Sequence, residues 1–217
     1  MQELPLWPQL VRWTAAFFQL PVRTLPVQSL DGVTSRVNEE TKRRQYLSSE
    51  LLDGRLKRAL PADALCLVGV TLEDLYPSPD PEWSFVFGQA SLRDRVGVYS
   101  LCRYFPGFPA RTTALADPTQ VLRRSFKVVA HEIGHILGLH HCVDYKCVLN
   151  GSNSLDESDR RPLFLCPRCL KKLQWNIGFS RVARYKQLRD VLAGAGLTAE
   201  AAWVEARLAA TSGSRRR

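Results

Sequence analysis

One stretch decides how this chain is interpreted: His131-Glu132-Ile133-Gly134-His135-Ile136-Leu137-Gly138-Leu139-His140-His141. Its first two histidines are four residues apart, so on an α-helix they lie about 40° apart on one face. Both imidazoles can therefore reach one metal ion. Five apolar residues lie roughly 160–240° from the first histidine and predict a core-facing stripe. They are Leu122, Phe126, Val129, Ile133 and Leu137. We therefore expect the opposite, histidine-bearing face to line a cleft.

The third histidine requires the helix to end. A continuous helix would carry His141 about 280° from His131, away from the ion. Gly138 resolves this, because glycine tolerates a positive φ and lets a helix stop and turn. The spacing H-E-x-x-H-x-x-G-x-x-H then favours His141 as the third ligand of a zinc ion. The neighbouring His140 is the alternative, and we interpret it as a surface residue or one beside the ligands.

Glu132 directly follows the first histidine. Three neutral imidazoles leave the fourth zinc position to water, which is the open arrangement of a catalytic site. Zinc lowers the pKa of that water, and Glu132 can take its proton as the nucleophile forms. The resulting carboxylic acid can later protonate a leaving amine. The alternative is that Glu132 is an ordinary exposed helix residue.

Four of the six cysteines follow this stretch, at Cys142, Cys147, Cys166 and Cys169. Two close pairs separated by 18 residues have the spacing of a structural zinc site, whose four thiolates complete the tetrahedron. Because Cys142 follows His141, we expect this second ion to fix the direction of His141. The alternatives are disulfides, and a thioredoxin-like redox pair at Cys166 and Cys169.

Composition limits the remaining possibilities. The chain has 217 residues, 45% of them hydrophobic, which suits one folded domain and argues against disorder. There is no apolar run of 18 residues and no basic region before an apolar N-terminal segment, so we expect no membrane span, no signal peptide and a cytoplasmic location. The net charge of +9 arises outside residues 131–169. No aromatic-interleaved basic patch accompanies it, so we do not expect nucleic-acid binding.

Hydrophobic periodicity predicts a strand-rich first half and a helical second half. The predicted strands are 22–30, 64–71, 83–87 and 95–104, and we expect the last of them to be the sheet edge that pairs with an extended substrate. The predicted helices cover 6–17, 48–60, a segment from 119, 167–172, 180–193 and 198–210. We assign residues 1–212 to one domain, with its two-zinc core at 119–190, and residues 213–217 to a flexible basic tail.

Three segments resemble the archaemetzincins, which are intracellular, metzincin-like zinc metallopeptidases. They are HEIGHILGLHHC at 131–142, CVLNGSN at 147–153 and RRPLFLCPRCLKKLQ at 160–174, and the upstream segments 63–77 and 83–101 are also similar to the family. The resemblance implies an α/β fold: a single compact domain with a twisted mixed sheet backed by helices and an extra four-cysteine zinc site.

The resemblance also assigns roles. It implies that the three histidines bind a catalytic zinc, that Glu132 is the general base, and that the four cysteines bind a second, structural zinc. One position departs from the family, because Leu149 stands where metzincins carry a methionine beneath the zinc. A leucine should still pack there, since Leu/Met exchanges usually cost less than about 1.5 kcal/mol.

The function implied is hydrolysis of peptide bonds in peptide or protein substrates, with aminopeptidase-like or otherwise restricted specificity. The alternative is a zinc-stabilised binding protein with little or no proteolytic activity. A purely structural zinc protein would leave the histidine face and Glu132 unexplained. The sequence does not indicate an oligomeric state.

Overall fold

The computed structural model describes residues 6–80, 83–105, 107–110 and 117–213. They divide into two compact units. The first, here called the helical unit, comprises the described residues of Met1–Thr24, Asp117–Lys127 and Cys142–Arg217. The second, the sheet unit, comprises those of Leu25–Ala116 and Val128–His141. The predicted mixture of helices and mixed sheet is confirmed.

The helical unit contains α1 and the start of α4, followed by four later helices. Their bounds are α1 Trp7–Phe18, α4 Pro118–Ile136, α5 Leu155–Arg160, α6 Pro167–Ile177, α7 Arg181–Gly194 and α8 Thr198–Gly213. The Trp13 indole stacks on the Phe126 ring with centroids 4.7 Å apart, and its Nε1–H donates to the Phe126 carbonyl at 3.1 Å. Burial of two large rings anchors the first turns of α4 on α1.

Local signals explain where these helices begin. Ser154 and Ser180 accept hydrogen bonds from the backbone N–H groups of Glu157 and Ala183, which caps α5 and α7. Pro167 occupies the first turn of α6, where no backbone donor is needed. The helices predicted at 6–17, from 119, and from 167, 180 and 198 are confirmed, whereas α5 was not predicted.

The sheet unit holds two three-stranded mixed sheets. The first has the order β1-β2-β4, with β1 Ser35–Val37 antiparallel to β2 Arg44–Leu47, and β2 parallel to β4 Asp74–Tyr76. The second has the order β3-β6-β5, in which β6 Val96–Ser100 is parallel to β3 Leu67–Thr71 and antiparallel to β5 Gly88–Ser91. The chain between β2 and β3 is helical over Ser48–Glu50 (α2), Leu51–Leu56 (a π-helix) and Lys57–Ala59 (α3), as predicted for 48–60.

Several strand predictions were wrong. The strand expected at 95–104 is not a sheet edge, because β6 is paired on both sides and the outer strands of this sheet are β3 and β5. The alternating segment 22–30 forms no strand, and the aromatic segment 83–87 contributes only an isolated bridge at Val86 before β5 begins. Strands β1, β2, β4 and β5 were not predicted.

A buried ion pair joins the two sheets of this unit. Asp74 of β4 is fully buried, and Arg103, in the turn after β6, donates to both of its carboxylate oxygens at 2.7 Å. Gln45 of β2 donates to the same carboxylate at 2.8 Å. The Arg103 guanidinium also lies 3.6 Å from the centre of the Phe85 ring. Because breaking a buried pair leaves an uncompensated charge, this contact holds β4 and the end of β6 in place.

In the part of the chain that the structure describes, no helix is long and apolar enough to cross a membrane. Of the predicted tail, Gly213 ends α8, and residues 214–217 lie outside the described residues. The predicted domain boundaries stay a prediction.

Candidate active site

Helix α4 carries the first two histidines and ends as Gly138 predicts. The helix stops at Ile136, and Gly138 adopts φ +80°. The N–H of Leu139 donates to the Gly134 carbonyl and that of Gly138 to the His135 carbonyl, both at 2.9 Å. This pair of bonds is a Schellman motif, which satisfies carbonyls at the helix end and reverses the chain.

The reversal brings three imidazoles together. The Nε2 atom of His131 lies 3.0 Å from Nε2 of His135 and 3.2 Å from Nε2 of His141. Tetrahedral zinc with Zn–N bonds of about 2.0–2.1 Å separates its nitrogen ligands by about 3.3 Å, so the observed spacing fits such an ion. His141 belongs to this cluster, whereas His140 is exposed and does not.

A backbone carbonyl fixes the orientation of His135. Its Nδ1 lies 2.7 Å from the Leu139 carbonyl oxygen, which can only accept a hydrogen bond. Nδ1 therefore carries the proton, and Nε2 of the neutral ring keeps its lone pair for a metal. The turn at Gly138 thus supplies the partner that orients the second histidine.

Glu132 lies against β5, one of the two outer strands of its sheet. A Cβ added to Gly88 would stand 2.8 Å from Oε1 of Glu132 and 2.9 Å from its Cδ. Glycine therefore leaves room at this point of the strand for the carboxylate in its observed position. Glu132 is also buried, with 7% of its surface exposed, so it is not an ordinary exposed helix residue.

The second half of α4 is more enclosed than expected. The predicted core stripe is buried throughout, from Leu122 at 9% exposure to Phe126 at 0%. The opposite face was expected to line a cleft, yet His131 is only 8% exposed, while His135 is half-buried and His141 is exposed. A helix that is buried on more than one face packs against more than one neighbour. For α4 one such neighbour is β6, whose Gly97 closely approaches Ile136.

The four cysteines form a second cluster, in the helical unit. All four are buried, and none of the six cysteines is in a disulfide. Cys142 Sγ lies 3.9 Å from Cys166 Sγ, close to the ~3.8 Å expected between sulfurs on zinc with bonds of about 2.3 Å. This separation is incompatible with an S–S bond of about 2.05 Å.

The raised pKa values of two of these thiols also fit a cation in the cluster. Burial and the neighbouring sulfurs of Cys166 and Cys142 raise the pKa of Cys147 to about 11. Burial, with the adjacent sulfurs, raises the pKa of Cys169 as well. Crowded thiols resist becoming thiolates together unless a positive charge sits among them.

Asn150 shapes this cluster and was not identified from the sequence. Its Nδ2 donates to the Cys142 carbonyl at 2.6 Å, and its Oδ1 accepts from the Cys147 N–H at 2.8 Å. The side chain therefore closes the loop between the first two cysteines. Leu149, beside it, is fully buried.

Gly88 and Gly97 were also missed as site residues. Each lies on a strand and approaches α4 closely, at Glu132 and at Ile136. An isolated glycine within a strand pattern is a known signal of close approach. Gly97 lies within the strand predicted at 95–104, so the sequence offered this signal for Gly97, whereas Gly88 lies just beyond the segment 83–87.

A helix that presents two histidines one turn apart, with a third returned by a glycine turn, defines the metzincin-like class of zinc-peptidase fold. The sequence profile of Peptidase family M54 matches residues 27–175. Archaemetzincin-2 of Rattus norvegicus is 45% identical over 198 residues, covering 80% of this chain and 54% of that protein. Archaemetzincin-1 of Homo sapiens is 37% identical over 207 residues, covering 83% of this chain and 41% of that protein.

Solved structures agree with these relatives. The archaemetzincin of Methanopyrus kandleri has a TM-score of 0.61 and 31% identity, covering 82% of this chain and 92% of that one. This chain belongs to the archaemetzincins, Peptidase family M54. It spans about half the length of the curated relatives it matches.

Proposed function

We propose that this chain is a zinc-dependent peptidase, with aminopeptidase-like or otherwise restricted specificity. His131, His135 and His141 bind the catalytic zinc, and Glu132 is the general base. The observation that carries this proposal is the convergence of three Nε2 atoms beside a buried glutamate: those of His135 and His141 lie 3.0 and 3.2 Å from that of His131. Membership of Peptidase family M54 supports the same reaction class.

The chemistry is divided between the ion and the chain. Zinc held by three imidazoles supplies a Lewis acid that polarises the peptide carbonyl and acidifies water. The Glu132 carboxylate takes the proton of the attacking water and returns it to the nitrogen of the leaving amine. His135, oriented by the Leu139 carbonyl, keeps its ligating nitrogen fixed through both transfers.

Of the two outer strands of this sheet, β5 is our candidate for the substrate-binding edge, because it is the one that lies beside Glu132. The segment 95–104, predicted to be that edge, is excluded because its strand β6 is paired on both sides. An extended peptide that adds to a sheet edge forms main-chain hydrogen bonds along that edge. Since Gly88 of β5 touches Glu132, a peptide paired there lies next to the general base.

The four cysteines bind a second zinc with a structural role. Four sulfur ligands leave no open position for water, which is typical of structural zinc. Asn150 and the first turn of α6 hold the sulfurs in place, because Cys166 caps that helix by accepting from the Cys169 N–H at 3.4 Å.

The decisive experiment compares Glu132→Gln with wild type. Loss of the general base lowers kcat by about 10²–10⁴-fold, while elemental analysis should still find two zinc ions per chain. Glu39→Gln, the same change at an exposed glutamate of the sheet unit, is the matched control and should be fully active. Unchanged turnover in Glu132→Gln contradicts the mechanism.

The rival function is a zinc-stabilised binding protein, for which the leucine at position 149 is the specific support. It predicts two zinc ions and no cleavage of any peptide by wild type. A peptide library with free and acetylated N-termini separates these outcomes. Cleavage of only the free set supports aminopeptidase-like action, whereas cleavage of both sets supports an endopeptidase.

A further inference from the structure

Tyr99 is the large side chain on a face of β5 and β6 that otherwise carries small residues. In the antiparallel register Gly88 faces Tyr99, and Ala90 faces Gly97. Directly paired residues, and residues two apart on one strand, project from the same face of a sheet. That face packs on α4, since a Cβ at Gly88 would meet Glu132 and one at Gly97 would meet Ile136 Cδ1 at 3.1 Å.

The Tyr99 hydroxyl is buried and has no hydrogen-bond partner among the described residues. The side chain is 0% exposed, and its hydroxyl oxygen contacts no donor or acceptor. A buried hydroxyl left unpaired is unfavourable, so such a group in a folded protein calls for an explanation.

A carboxyl group, that of Glu132, lies on this side of the sheet beside Gly88. Burial, with Tyr104 and the Glu132 carboxylate nearby, raises the pKa of Tyr99 well above its ordinary value. The phenol therefore stays protonated and available as a donor. Among the groups that influence it, Glu132 offers a carboxylate acceptor, and a hydrogen bond to an ionised acceptor is stronger than one between neutral groups.

We propose that Tyr99 is a positioning residue for Glu132, whose hydroxyl donates to the Glu132 carboxylate and holds it in one orientation during hydrolysis. This inference rests on the proposed function, because it assigns Glu132 the role of base. The pairing requires a side-chain adjustment from the arrangement in the structure, in which the hydroxyl has no partner. The position of the carboxylate is then restricted by Gly88 on β5 and by Tyr99, which pairs with Gly88, on β6.

The kinetic test is Tyr99→Phe in the full, zinc-loaded chain. The ring and its packing remain, so zinc content and KM should be unchanged, while kcat falls about tenfold, the order expected for one charge-assisted hydrogen bond. Tyr76→Phe removes a hydroxyl from another buried tyrosine of the sheet unit and should leave kcat unchanged. A Tyr99→Phe enzyme with the kcat of wild type overturns the proposal.

A stability cycle tests the same pairing without any assay of activity. Thermal unfolding is measured for wild type, Tyr99→Phe, Glu132→Ala and the double variant. Tyr99→Phe should lower Tm by about 4 °C in wild type and should not lower it in the Glu132→Ala background. If Glu132→Ala does not fold, Glu132→Gln takes its place, with a reduced difference expected because the acceptor is neutral.

The two measurements separate the failure of each proposal. Equal shifts of Tm in both backgrounds overturn the pairing of Tyr99 with Glu132, whatever the enzyme hydrolyses. Unequal shifts together with a wild-type chain that cleaves no peptide support the pairing and instead overturn the proposed function.

Discussion

Replacing Gly88 with alanine should damage catalysis more than folding. The new Cβ would stand 2.8 Å from Oε1, 2.9 Å from Cδ and 3.0 Å from Cγ of Glu132. An ordinary contact is ~3.5 Å, so the carboxylate must withdraw by about 0.7 Å. The obstructed atoms belong to a side chain rather than to backbone, which lets the fold adjust at modest cost.

The chemistry does not tolerate the same adjustment. A displacement of about 1 Å from the reactive geometry costs about 10²-fold in rate. For a shift of this size we expect kcat to fall about 30- to 100-fold, or roughly 2–3 kcal/mol of transition-state stabilisation. KM and zinc content should change little, because the three atoms nearest to the new Cβ all belong to Glu132 and none to a histidine.

Gly97→Ala is the matched control for this measurement. It adds a methyl group to the same face of the same sheet, but the atom it meets is Ile136 Cδ1 at 3.1 Å. Peptide hydrolysis and denaturant unfolding should be measured on both zinc-loaded variants. The reasoning is refuted if Gly88→Ala retains wild-type kcat, or if both variants lose kcat in proportion to their loss of stability.

Three further predictions test the turn, the two metal sites and a buried amine. Gly138→Ala and Gly178→Ala both place alanine at a positive φ, of +80° and +83°, and should each lose about 1–2 kcal/mol of stability, but only the first should lower zinc occupancy at the histidines. Cys166→Ser should make the fold unstable and sensitive to chelators, whereas His135→Ala should lose one zinc and its activity yet keep its fold. An equal loss of unfolding free energy in the two variants would contradict the division into a structural and a catalytic ion. Burial lowers the pKa of Lys127 from 10.5 to about 8, so between these pH values the unfolded chain binds more protons than the folded chain. The free energy of unfolding should therefore rise with pH over this interval in wild type, relative to Lys127→Met. An equal change of unfolding free energy in both proteins, measured by denaturant at the two ends of the interval, would contradict this.

The parts of the site that follow from local geometry were predictable. Two histidines four residues apart share a helical face at any position in a protein. Gly138 identifies the end of the helix because few other residues adopt its positive φ. Together with these two facts, the motif spacing favoured His141 over His140, and the structure brings together the same three imidazoles.

The strands were less predictable, because their pairing depends on distant residues. Residues 22–30 alternate as a strand does, yet they form none in the structure. The segment 83–87 has strong β-formers, but the strand is Gly88–Ser91, where the register with β6 provides partners. Short strands such as β1, with three residues, carry too little periodicity to be distinguished from loops.

This difference between local and distant signals bears on how a zinc motif is interpreted. The motif specifies the metal ligands through their spacing along the chain. The orientation of Glu132, in contrast, depends on Gly88, 44 positions earlier, and on the strand pairing that places Tyr99 opposite Gly88. We therefore expect that a chain with all seven candidate metal ligands and Glu132 still loses most of its hydrolytic rate when alanine replaces Gly88. Retention of the motif is thus evidence for the metal site, whereas evidence for catalysis also requires that β5 leave space for the carboxylate. In this chain glycine at position 88 meets that requirement, which favours the peptidase over a binding protein that retains only its zinc.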